Sequence, residues 1–329
     1  GGVHFLMQVD VDAAINSRIQ GLQISARNLL RENNIRYSGL IRARDTVELQ
    51  FNDPQTRQRA ERVLSDQLSE ITLREEAGSN KLIIALSPDA IKQIRENSVK
   101  QNIATLSKRV NELGVNEPVI QQQGADRIVV QLPGVQDVSR AKDIIGRTAT
   151  LEVRMVDESI TRGTEESVAV PLGSEIFRQG KGTPVILYKE PVLTGEYISN
   201  ASASFDQYQQ PAVSIDLNGD GGRKMRQATR GKIGKLMAIV LFEKGKGEVL
   251  TVASIRDELG SKFQITGMDT PEAATDLALL LRAGSLAAPM QIIEERTIGP
   301  QLGAENITKG FLSTLYGFLA VSIFMILYY

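Results

Sequence analysis

Residues able to do chemistry are few in this chain of 329 residues. There is one histidine, His4, and no cysteine. Missing cysteines remove disulfides, thiolate nucleophiles, iron–sulfur ligation and Cys-based zinc sites together. A Ser-His-Asp arrangement would have to use His4, which lies in an opening strand with no nucleophile elbow nearby, so a structural role is read for it. Gly234-Lys235 is followed by Leu236 and lacks the spaced glycine of a phosphate-cradling loop. Asp216-Leu217-Asn218-Gly219-Asp220-Gly221 matches the first half of a calcium loop. Its twelfth position is Gln227, where a bidentate Glu is needed, and a glycine-rich turn is the reading taken. Glu294-Glu295-Arg296 could be an acid/base group, but neighbours on a strand point to opposite faces, and a surface ion-pair cluster is the simpler reading. Asn200-Ala201-Ser202 and Asn306-Ile307-Thr308 fit a three-residue glycosylation pattern that arises often by chance. No catalytic residue, cofactor or metal is expected, and the chain reads as a non-enzyme.

Composition narrows the partners. Lys and Arg total 38 against 39 for Asp and Glu, so a net charge of −1 offers no overall attraction to nucleic acid. The strand Arg127-Ile128-Val129-Val130-Gln131 has none of the aromatics an RNA-stacking sheet needs. With 42% hydrophobic and 23% charged residues the chain reads as folded, with room for two or three domains. It opens on Gly1 without Met or an apolar leader, so we read it as a segment of a longer protein.

A duplicated unit must position whatever site exists. Ile15, Ile19, Leu22, Ala26 and Leu29 form one helical stripe; Val99, Ile103, Leu106, Val110 and Leu113 form another with the same spacing. Each stripe is followed by a strand (Val47-Leu49-Phe51; Ile128-Val130-Leu132), a helix (Arg59 to Leu64; Arg140 to Ile145) and a closing strand (Ile71-Leu73; Leu151-Val153), about eighty residues apart. Each copy therefore reads α-β-β-α-β. A preceding strand such as Val3-Phe5-Met7-Val9 would complete a ferredoxin-like unit, and the sequence leaves open which copy it joins.

From Asp157 the periodicity gives way to Glu, Gly, Ser and Thr. A β-rich region follows, with strands at Val185–Leu187, Val213–Leu217 and Leu236–Phe242 and a short helix near Met225–Thr229. The chain then returns to β-α-β, with Phe263–Ile265, a helix carrying Ala274, Leu277, Ala278 and Leu281, and Met290–Ile293. The expected fold class is α+β: a ferredoxin-like base over 1–89 and 90–156, an inserted β-rich head over 157–260, a base-completing β-α-β over 261–310, and a membrane helix over 311–329. Phe311–Tyr329 carries no charge and would span roughly 28 Å as a helix, close to a bilayer core.

Several runs together resemble the SecD family of bacterial protein translocase subunits. They are Arg109-Val110-Asn111-Glu112-Leu113-Gly114-Val115, Gln123 to Val130, Leu132-Pro133-Gly134, Leu193-Thr194-Gly195, Phe205-Asp206-Gln207 and Ile233-Gly234-Lys235. The last block, Leu281-Arg282-Ala283-Gly284-Ser285-Leu286, Pro289, Glu294-Glu295-Arg296-Thr297-Ile298-Gly299-Pro300 and Leu302-Gly303, leads into the apolar helix. Gly1 to Phe5 is similar to the tail of the family's Asp-Leu-Arg-Gly-Gly motif. Lys232 stands where the family has Asn, and the stretch after Phe242 is shorter than in some members.

The resemblance marks Arg282, Ala283, Gly284, Glu294, Glu295, Arg296, Gly299 and Gly303 as the motif joining base to membrane helix. It implies a mainly periplasmic domain at the bacterial inner membrane that binds emerging unfolded polypeptide and helps complete proton-motive-force-dependent export. The partners it implies are SecF, the SecYEG channel and a YajC-like accessory protein. Its proton-carrying residues are expected outside this segment. Glycines 163, 173, 260 and 267 are the expected hinge, because Gly-rich connectors absorb a rigid-body swing. The competing reading is the porter domain of a proton-driven efflux pump, which predicts a deep pocket for small lipophilic molecules.

Overall fold

The computed structural model describes residues 2–159, 170–171, 173–180, 182, 184–243, 245–256, 258–298 and 300–328, with backbone alone at 298, 300–307 and 327–328. The first strand, β1 (Gly2–Val9), buries Val3, Phe5, Met7 and Val9 on one face, as period-two alternation requires. Helix α1 (Val11–Glu32) follows, capped by Asp10, whose carboxylate accepts from the Ala13 N–H at 3.0 Å. Then come β2 (Gly39–Arg42), β3 (Thr46–Gln50), α2 (Pro54–Gln67), β4 (Ile71–Glu75) and β5 (Lys81–Leu86). The second copy holds α3 (Pro88–Glu112), β6 (Val119–Gln123), β7 (Arg127–Pro133) and α4 (Val138–Gly146). Asp53, Ser87 and Asp137 cap α2, α3 and α4, and proline fills the first position of α2 and α3.

Both copies are built as strand-helix-strand-strand-helix, yet their leading strands are exchanged. One sheet runs β2-β3-β5-β4 and the other β17-β1-β7-β6, where β17 is Met290–Ile298. All pairings in both are antiparallel. Strand β1, ahead of the first copy in sequence, sits centrally in the second sheet; β5, ahead of the second copy, sits centrally in the first. Each sheet thereby acquires the 4-1-3-2 order of a ferredoxin-like unit.

The fourth strand of the second unit comes from the far end of the chain. Leu151 and Val153, expected to close the second copy, belong instead to β8 (Thr150–Met155), which pairs with β14 (Leu236–Glu243) and β11 (Leu193–Thr194) in a different sheet. Burial explains the exchange. Leu151, Val153, Arg154 and Met155 are buried, so β8 has covered faces on both sides and suits a sheet interior. The charged Glu294-Glu295-Arg296 of β17 suits an edge. A bulge places Ile293 without a partner on β1, between Ile292 opposite Met7 and Glu294 opposite Leu6, and Ile293 is 50% exposed.

The remaining body, here termed the head, holds a six-stranded sheet ordered β10-β9-β15-β14-β8-β11 and a three-stranded sheet β12-β13-β16. Its elements are β9 (Ser174–Arg178), β10 (Pro184–Tyr188), β12 (Ile198–Phe205), β13 (Pro211–Leu217), α5 (Gly219–Thr229), β15 (Lys246–Ser254), β16 (Lys262–Ile265) and α6 (Pro271–Ala283). A bridge from Val156 to Leu187 brings the end of β8 beside β10 and curls the larger sheet toward closure. The β-α-β expected to dock on the base divides differently: β16 pairs with β13, and α6 packs beneath β12 and β13 through Ala274, Leu277, Ala278 and Leu281. Only β17 returns to the base. It leads into α7 (Pro300–Tyr328), whose stretch Thr308–Ile326 is long and apolar enough to cross a membrane and is not buried, with Phe311 70% and Ile326 77% exposed.

Strand exchange makes a prediction at odds with sequence order. Phe5→Ala should cost about 3–5 kcal/mol and raise amide exchange in β6 and β7 while leaving β3 protected. Leu82→Ala in β5 should do the reverse, as read by hydrogen exchange with mass spectrometry.

Candidate functional site

The base and head meet along one face of α3, where Asn102, Thr105, Arg109 and Glu112 recur at helical spacing. Chain passes from base to head between Gly146 and Thr150 and returns between Ala283 and Met290. Both crossings bind this face. Arg109 has no solvent exposure. Its Nη1 donates to the carbonyls of Ile144 at 2.8 Å, Ile145 at 3.4 Å and Arg147. Its Nη2 donates to Thr148 at 3.5 Å on the outgoing crossing and to Gly284 at 3.2 Å on the return. Burial pushes the guanidinium pKa down to about 10, with Arg147 adding repulsion and Glu243 opposing it.

The rest of the face follows the return crossing residue by residue. Asn102, also fully buried, accepts from the N–H groups of Ala287 at 2.8 Å and Ala288 at 3.2 Å and donates to the Ala288 carbonyl at 2.9 Å. The Thr105 hydroxyl donates to Ser285 at 3.3 Å. At the solvent end Arg282 grips Glu112 through both Nε, at 3.0 Å, and Nη2, and its Nη1 donates to the Ala201 carbonyl of β12 at 3.0 Å. Hydrogen bonding from Arg282 lowers the Glu112 pKa, and the same bond raises that of Arg282. A second ion pair crosses the boundary near the start of α6, Arg140 to Asp276 at 2.9 Å. Apolar contact supplements these bonds, since Leu113 touches both the head and base cores and Ile144 of α4 lies in the head core.

The motif residues divide between this junction and the strand beyond it. Ala283 is buried, and Gly284 ends α6 at φ +93°, a conformation other residues adopt only with strain. Glu294 pairs with Arg296 along β17, and Glu295 reaches Lys142 of α4 at 2.8 Å. Gly303 lies in α7, and Gly299 is outside the described residues. The hinge expectation moves. Gly163 is outside the described residues, while Gly173, Gly260 and Gly267 all lie between strands or helices of the head. The crossings themselves are the short segments 146–150 and 283–290, both bonded to α3.

Elsewhere the singled-out residues hold structure together. Asn218 caps α5 by accepting from Gly221 N–H at 2.8 Å, Asp220 pairs with Arg223 and Asp216 lies 3.8 Å from Lys262. The former calcium-loop residues thus face separate partners. His4 lies on β1 between Gln131 and Arg296, with Nδ1 buried. Among the described residues no group of three acidic or histidine side chains is placed to hold a metal. A groove of about 520 Å³ lies between Leu113–Glu117, Pro133–Asp137 and Arg140. Its walls are loops of the base rather than an enclosed apolar chamber.

Sequence reasoning missed the polar face of α3. The signal was present: Asn102 and Arg109 interrupt the apolar series Val99, Leu106, Val110 at positions that must face inward.

Fold and junction together define a class: a two-part α+β body with a duplicated base, a separately cored head, and one long apolar helix. Its parts match known proteins in the same order. Residues 99–158 match the family model for the N-terminal part of the P1 domain of protein translocase subunit SecDF, and 174–288 match that for the SecDF P1 head subdomain. Protein translocase subunit SecD of Escherichia coli K12 is 43% identical over the whole chain and that of Pseudomonas aeruginosa 41%; the chain spans 56% of each relative. A solved structure of a membrane component, SecDF, that enhances protein export is similar with a TM-score of 0.50 at 32% identity, over 62% of this chain and 94% of that one. SecDF in a super-membrane-facing form gives 0.52 at 36% identity, over 68% of this chain and 31% of that one. The chain belongs to the SecD family of protein translocase subunits.

Two outcomes are expected at the junction. Arg109→Met should cost about 2–4 kcal/mol in urea unfolding, because buried carbonyls from both crossings lose their donor. Glu112→Gln should cost about 1 kcal/mol at neutral pH, the pair being one-third exposed and partly screened. The folded-state pKa of Glu112 is depressed, so this contribution is present above its ordinary value of 4.5 and lost on acidification through the lower folded value. The difference between parent and variant melting temperatures should therefore shrink toward zero in acid.

Proposed function

We propose that this chain supplies the extracytoplasmic part of a Sec protein-export subunit, standing on the outer face of the bacterial inner membrane. The head binds emerging unfolded polypeptide, and its displacement relative to the base helps complete translocation driven by the proton-motive force. The observation that carries this reading is the ordered match of both P1 parts to a body whose head and base have distinct cores that meet at Leu113 and Ile144. The membrane helix α7 then orients the base, because β17 enters it after Ile298. SecF, the SecYEG channel and a YajC-like accessory protein are the partners on this reading.

Unrelated sequences share a backbone but not side chains, so recognition favours strand edges and shallow apolar contact. The hairpin of β12 and β13 offers exposed Phe205 and Tyr208 near its tip. Its turn is braced by Asp206, which accepts from the N–H groups of Tyr208 and Gln210 at 2.8 and 2.9 Å.

Arg140→Cys with Asp276→Cys, joined by a short thiol cross-linker in the full-length protein, should reduce export several-fold and recover on cleavage of the linker. Undiminished export in the joined form refutes the reading. A photo-cross-linker at Tyr208 should capture a stalled exported chain, with a small lipophilic probe as the control.

A further inference from the structure

The bonds between α3 and the return crossing differ in burial along the helix. Asn102 and Arg109 are sealed from solvent, whereas the side chains of Glu112 and Arg282 remain 33% and 37% exposed. The buried members bind backbone groups, which cannot change identity or leave without stranding polar atoms in the interior. The exposed member joins two side chains that water can solvate once they part. Among the described residues Arg109 is the side chain that bonds both crossings, so it ties the outgoing and returning chain to one point of α3. Gly284 sits at that place in a positive-φ conformation, with open space where a Cβ would lie.

We propose that Arg109 and Asn102 are permanent bearings of the head–base joint and that Glu112–Arg282 is a releasable latch that sets the head position seen here. Arg282 also holds the Ala201 carbonyl on the edge of β12, so release of the latch uncovers that carbonyl for another donor. Arg140–Asp276, with Arg140 52% exposed, secures the first half of α6 in the same solvent-accessible manner. The head accordingly turns about the Arg109 end of α6, and the two exposed pairs limit the turn.

The significance of the movement rests on the export reading, but the latch is tested without export. The chain has no cysteine, so spin labels can be placed by Gln123→Cys on exposed β6 and Tyr208→Cys on the head. Pulsed electron resonance on the 329-residue chain in nanodiscs then reads the head–base distance distribution. Glu112→Gln and Arg282→Gln should each increase, at least threefold, the population outside the parent distance. The reversed pair, Glu112→Arg with Arg282→Glu, should restore the parent distribution. Amides of Ala287 and Ala288 should remain protected in hydrogen exchange in all these variants, since Asn102 still holds them. Unchanged distances in both single variants, or a reversed pair as broad as they are, overturn the latch; lost protection at Ala287 and Ala288 overturns the bearings. Failure here leaves the export result standing, while failure of the cross-linking experiment leaves the latch intact.

Discussion

A guanidinium without access to water, held by backbone carbonyls of two separate chain crossings, is the constraint on which this architecture depends. An insertion into a folded unit leaves two cut ends that must be brought together and their polar backbone satisfied. Arg109 does both. Its planar fork serves several acceptors at once, where a lysine would present a point charge on a flexible stem. Desolvation of the cation is the cost, visible in its depressed pKa. Because the bonds go to carbonyls and not to a carboxylate, no partner side chain can rotate away and leave the charge exposed to apolar surroundings.

The duplicated base was legible in outline because it rests on local periodicity. Apolar stripes at helical spacing mark four helices over 11–146, and the helices lie on those stripes, closed at their starts by Asp10, Asp53, Ser87 and Asp137. Topology was not legible. Val3-Phe5-Met7-Val9 and the run Lys81–Leu86 both bury alternate residues, and nothing in their composition says that they trade sheets. The destination of β8 failed for a related reason: Leu151 and Val153 follow the same spacing as Ile71 and Leu73, but strand pairing is decided by which neighbour buries the second face.

The junction was half legible. The Arg282-Ala283-Gly284 block and the run from Arg109 to Glu112 are each family-like stretches of the sequence. Only the fold brings Glu112 and Arg282, 170 positions apart in the chain, within hydrogen-bonding distance. Gly173 and Gly267 adopt positive φ within the head, away from both crossings. The crossings that matter are governed by side-chain bonds from a neighbouring helix, which no local composition reveals.

The register of β17 on β1 carries a mechanical corollary. Gly2 lies opposite Ile298, two residues before the apolar helix begins, so both strands reach the same end of their sheet. A tug directed along β17 would draw it lengthwise past its neighbour. Rungs of the ladder are then strained side by side and share the load, instead of parting one after another as they would if the strands were peeled from an end.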